Sequence, residues 1–122
     1  QFWHVRHPLD ISKMKLAATY LIGKHDFTTF RSSICQASSP IKTIDTISIQ
    51  SEKIRDGIIY EFNFSARSFL HNQVRSIVGC LEKVGCGKWR PQKMQEILLS
   101  KDRSKCAALA PPSGLYLTKV EY

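Results

Sequence analysis

Two periods of hydrophobic and polar residues alternate along the chain. The longest helical one runs through FSARSFLHNQVRSIVGCLEKVGCGKW, Phe64 to Trp89. There Phe69, Leu70, Val74, Ile77, Val78, Leu81 and Val84 recur at the spacing of one helix face, and Gly85 and Gly87 close the run. On the flank of that stripe, at about 100° per residue, fall His71, Arg75, Gly79 and Glu82. An arginine beside a mid-helix glycine is unusual on a plain solvated face. Glycine costs about 1 kcal/mol against alanine inside a helix, so the spacing predicts a close approach there.

An earlier helix is predicted after Pro8-Leu9-Asp10, with Asp10 as N-cap and Leu9 stapled onto Met14. Its buried stripe is Ile11, Met14, Ala18, Leu21 and Ile22, with Lys13 and Lys15 in solvent and Gly23 as the stop. In the segment KHDFTTFR, Asp26 caps a short helical turn and Phe27 and Phe30 turn inward. Ser32 to Pro40 reads as a loop. Residues 41–50, rich in Ile and Thr, read as a strand in which Ile44 is out of phase with Ile47 and Ile49, a sign of a bulge or twist. Asp56-Gly57 turns into a second strand, Ile58 to Arg67. Tyr60, Phe62, Phe64 and Ala66 share one of its faces, and Glu61, Asn63, Ser65 and Arg67 the other. The aromatic row reads as core under the long helix, in preference to a base-stacking platform.

Pro91 fits the start of a further helix with Met94, Ile97 and Leu98 on its apolar face. A short basic helical turn (Lys101 to Ala108), a Pro111-Pro112-Ser113-Gly114 break and a strand from Leu115 to Tyr122 complete the chain. The whole predicts one α+β domain, residues 1–122: an antiparallel sheet packed on one face by a long helix and shorter helices.

Charge changes this picture most. A net charge of +8 and a pI near 9.5 favour a polyanionic partner, nucleic acid ahead of an acidic membrane surface. No apolar run approaches the 20 or so residues that span a bilayer, and no signal-peptide pattern opens the chain. It begins with Gln1 and not Met, as a processed chain or a piece of a longer protein would. Cys35, Cys80, Cys86 and Cys106 form no C-x-x-C pair and have no His at metal-site spacing, so reduced thiols are expected. Phosphate-binding glycine loops, nucleophile elbows and metal clusters are missing, and no spacing supports a Cys–His nucleophile. The carboxylates mostly sit where a cap, turn or exposed face accounts for them.

The stretch SFLHNQVRSIVGCLEKVGCGKW resembles the signature helix of the TruA-type tRNA pseudouridine synthases. LIGKHDFTTFRSSICQASSPIKTI upstream and ALAPPSGLYLTKVEY at the end agree in the same order, so the resemblance covers nearly the whole chain. It implies isomerisation of uridine to pseudouridine in tRNA, with no metal or organic cofactor. The family's catalytic aspartate, in a G-R-T-D-A-G type motif, and its active-site tyrosine precede the region seen here. The chain thus resembles the C-terminal half of such a domain, and the isolated chain is expected to be inactive. A cytoplasmic location is expected, or a nuclear or mitochondrial one in a eukaryote, with no membrane partner.

Residue by residue, the resemblance puts Arg75 at the active-site arginine that pairs with the catalytic aspartate. A guanidinium within about 4 Å keeps a carboxylate ionised and oriented, and holds it bidentately. Leu115 resembles the apolar residue lining the uridine pocket, with Gly114 permitting the turn. Phe69, His71 and Asn72 lie where substrate should enter. His25, Asp26 and Arg31 match an H-D-F-x-x-F-R block. Plainer readings stand beside these: a surface arginine in a salt bridge with Glu82 or a strand carboxylate, a loop or core histidine bonded to backbone, a capping Asp26 and a surface Arg31. A non-catalytic RNA-binding or dimerisation module of the same fold is the alternative to an enzyme, with a small protein-binding domain behind it. Half of a bipartite domain exposes the surface that faces its other half, so a homodimer or self-association is expected.

Overall fold

The computed structural model describes residues 8–31, 39–55, 57–70, 72–107 and 116–121. Asp10 begins helix α1 (Ile11–Thr19) as expected: its carboxylate accepts the Lys13 N–H at 3.0 Å. Met14, Ala17, Ala18 and Leu21 are buried, while Ile11 is half-buried. Ile22 departs from the predicted stripe and is 38% exposed, because the helix ends at Thr19 and the chain has left its phase.

The sheet has the order β1-β2-β3-β4. Strand β1 (Gly23–Asp26) pairs antiparallel with β2 (Ile41–Ile54), and β2 with β3 (Gly57–Ala66). The register between β2 and β3 shifts between Ile44 and Thr46, leaving Asp45 as the extra residue of a bulge. That one residue restores the phase, so Ile44 and Ile49 are both buried on the helix side although they stand five positions apart. On β3 the expected alternation holds. Tyr60, Phe62, Phe64 and Ala66 are buried, while Glu61, Asn63 and Ser65 are half-exposed on the other face. The aromatic row is core and offers bases no platform.

Helix α2 (Gln73–Gly85) and helix α3 (Lys93–Ser100) follow β3, and β4 (Tyr116–Glu121) then pairs parallel with β3, Tyr60 opposite Tyr116. The intervening helices make this parallel return reachable, since a tight turn cannot join parallel neighbours. Single 3-10 turns at Thr28–Phe30 and Arg103–Lys105 complete the described elements. Met94, Ile97 and Leu98 form the buried face of α3, which starts two residues beyond Pro91. The three helices cover the inner sheet face in one core, and Tyr60 Oη accepts the Leu9 N–H at 2.6 Å, tying the start of α1 to the middle of β3.

Candidate functional site

Helix α2 is buried on most of its circumference. Gln73, Ser76, Ile77, Val78, Gly79, Cys80, Leu81, Val84 and Gly85 are all covered, which leaves Val74, Arg75, Glu82 and Lys83 half-exposed. From Ile77 to Val84 the apolar stripe is therefore core, as its spacing predicts, while Val74 packs half-exposed against its edge. The Arg75–Glu82 flank is the side that meets solvent, with Gly79 buried beneath it. Arg75 has an interaction partner within the chain.

The entry to α2 is built unusually. Asn72 stands in the left-handed region at φ 61°, and its side chain makes no capping bond to the helix. A non-glycine residue there carries a conformational cost, which Asn tolerates better than most. The turn is held by Gln73, whose Oε1 accepts the Leu70 N–H at 2.8 Å while its own N–H donates to Leu70 O at 3.0 Å. Gln73 Nε2 is buried and has no partner among the described residues. Phe69 and Leu70, in phase with the helix by sequence, belong to the connection before it. Phe69 is half-buried and meets Phe64 edge-on, ring centroids 6.5 Å apart.

The histidine–aspartate block lies on β1 and the turn after it. His25 Nε2 is 2.8 Å from Ile22 O, and its ring meets Phe27 edge-on at 5.8 Å. Asp26 caps the following turn, accepting Thr28 N–H at 3.0 Å and Thr28 Oγ1–H at 2.5 Å, with Lys101 Nζ 4.0 Å from its other oxygen. Those Thr28 hydrogen bonds, chiefly the hydroxyl's, hold its carboxyl below the ordinary range, with smaller help from Lys101 and Arg31 against desolvation. Arg31 is half-buried just past the turn. His71, Gly114 and Leu115 lie outside the described residues.

Two clusters have no warning in the sequence. Arg103 Nη1 donates to Ser76 Oγ at 2.8 Å and to Thr29 O at 3.3 Å, joining α2 to both 3-10 turns. Beside it, Cys80 Sγ of α2 lies 3.4 Å from Cys106 Sγ. The Cys80 hydrogen bond and nearby Arg103 favour the Cys106 thiolate and hold its pKa below the ordinary thiol value, although burial opposes them. The same bond and burial push Cys80 up. Among the described residues no group of three or more His, Cys, Asp or Glu is placed to hold a metal ion. No helix there is long and apolar enough to cross a membrane.

The structure is thus an α+β domain of net charge +8 whose longest helix offers solvent an arginine flank next to a left-handed asparagine. The chain belongs to the tRNA pseudouridine synthase family, whose sequence profile matches residues 17–122. It is 53% identical over 120 residues to the tRNA pseudouridine synthase A of Cereibacter sphaeroides, covering 98% of this chain and 47% of that protein. The enzyme of the same name from Paracoccus denitrificans is 54% identical, with 98% and 46% covered. That of a Ruegeria species is 50% identical over 122 residues, with 100% and 47% covered. The chain thus spans about half the length of the curated relatives it matches.

Proposed function

We propose that this chain is the part of a tRNA pseudouridine synthase that supplies the active-site arginine and a share of the RNA-binding surface, while the nucleophilic aspartate comes from outside residues 1–122. The observation that carries the reading is Arg75, half-exposed on the one solvent-facing flank of α2, within a chain that matches tRNA pseudouridine synthases A along nearly its whole length. Its guanidinium would pair with the aspartate, keep it ionised and fix its direction as the target uridine leaves the stack. Asn72 supports the placement, since a strained residue whose side chain is not spent on the helix is a natural contact for substrate. Phe69, His71, Asn72, His25, Arg31, Gly114 and Leu115 form the substrate-binding set of this reading, and the reaction needs no cofactor.

Changing Arg75→Ala in the full-length protein tests it. Turnover should fall by about 100-fold or more, the scale of losing one charge-stabilising group, with tRNA binding largely kept. Arg75→Lys should not restore it, because an ammonium cannot hold a carboxylate bidentately. Near-normal pseudouridine formation by Arg75→Ala would sink the assignment. The same reading places the protein in the cytoplasm. Leu16, Ile41 and Leu99, 47%, 47% and 68% exposed, support self-association, which a strictly monomeric sedimentation profile at high concentration would contradict.

A further inference from the structure

We infer that the sheet carries a second RNA contact, a seat for the sugar–phosphate backbone formed by Lys24, Lys42 and Arg67 and separate from the Arg75 flank. The inference rests on the synthase reading for the identity of the RNA. Three chain segments bring these cations together. Lys24 and Thr43 are register partners across β1 and β2, as are His25 and Lys42, and Ile44 pairs with Ala66 so that Arg67 follows at the same end of the sheet. Lys24, Lys42 and Arg67 all line one open cleft of about 530 Å³, larger than a single phosphate needs.

The charge in this cleft is not neutralised from within. Asp45, exposed on the bulge, is the single carboxylate in its lining, against three cations. Among the described residues none of the three cations has a carboxylate within 4.0 Å, and Lys42 Nζ is instead 3.1 Å from Ser68 Oγ. Unpaired like charges gathered in a concave surface repel one another, and a polyanion removes that cost. The chemistry selects a phosphodiester chain: Arg67 can fork onto phosphate oxygens, the lysines act as point charges, and the Ser68 and Thr43 hydroxyls add donors. Arg67 and Ser68 also open the connection that runs through Phe69 and Asn72 into α2. RNA held in the cleft is thereby aligned along the segment leading to Arg75, which makes these residues positioning residues for the substrate.

The experiment uses the full-length protein and an unmodified tRNA transcript, with filter binding across a salt series and a pseudouridine assay on each variant. Lys42→Gln and Arg67→Gln should each weaken binding by about 5- to 10-fold and lower the salt-dependence slope by about 0.7 to 0.9 for each phosphate no longer neutralised. KM for tRNA should rise in step while kcat stays within about twofold, and Lys42→Arg should restore binding. Unchanged affinity and slope in both Gln variants would overturn the seat, as would an equal loss from Lys13→Gln on α1, which lies outside the cleft. A wild-type protein that binds tRNA but makes no pseudouridine would defeat the synthase reading, while the salt slopes would still decide the seat.

Discussion

Gly85 of α2 lies against Met14 of α1 so closely that a β-carbon on Gly85 would stand 2.8 Å from Met14 Sδ and 3.0 Å from Leu9 Cβ. Met14 is fully buried, Leu9 nearly so, and the Asp10 N–H donates to Gly85 O at 2.9 Å. The two helices meet there at backbone distance. Gly85 thus makes a close approach of the kind the sequence points to at Gly79, six residues earlier on the same helix.

Gly85→Ala is accordingly expected to destabilise the fold. The alanine gains about 1 kcal/mol of helix propensity at most, while overpacking a filled core costs about 1–3 kcal/mol. Urea denaturation should show a lower midpoint at unchanged slope. A variant more stable than wild type would contradict the packing described.

Arg103→Ala should cost about 1–3 kcal/mol, because Ser76 Oγ in the core and Thr29 O lose a charged donor together. Arg103→Lys should recover less than half of that loss, because the lysine side chain stops short of the position of Nη1, the one nitrogen that makes both bonds. Equal stability of wild type and Arg103→Ala in chemical denaturation would remove Arg103 from the network.

For Asp26, the folded pKa lies below the unfolded value near 3.8, so its stabilisation is complete above that value and is lost as pH falls through the folded one. Asp26→Asn keeps an acceptor for Thr28 but gives up the charge. The stability gap between wild type and variant should be largest at neutral pH, under about 1 kcal/mol given solvent screening, and should close in acid. A gap that widens on acidification would reverse the sign argued here.

Alkylation distinguishes the two touching thiols. Labelling of Cys106 by iodoacetamide should rise at a lower pH in the folded protein than in the denatured chain, while Cys80 stays unlabelled until unfolding. Mass spectrometry of labelled peptides across pH reads both. Early labelling of Cys80 in the native state would contradict its burial.

How far these features are legible in the sequence depends on the range over which each is encoded. Ile44, out of step with Ile47 and Ile49, announces the bulge because a strand's period is a local property. The same holds for the β3 alternation, the Asp10 cap and the buried stripe of α2. Strand β1 is not legible: Gly-Lys-His-Asp has no β-branched residue and no Phe, Tyr or Trp, and its pairing is supplied by β2. Asn72 is hidden for the opposite reason, because Phe69 and Leu70 carry the helical period through a connection that is not helical. The contacts of Arg103 with Ser76 and of Cys80 with Cys106 join segments far apart in sequence with no motif to mark them. Arg75 has a distinctive position from periodicity alone, but its catalytic role becomes readable only through the family resemblance.

The parallel seating of β4 imposes an order of events on folding. Strands β1 to β3 form a meander of neighbours in sequence, whereas β4 reaches β3 only after α2 and α3 have been made. During synthesis β3 therefore waits with one edge of its ladder unpaired and its aromatic row only partly roofed. An open strand edge is a template for pairing with another chain, and the arrival of β4 removes that edge from β3.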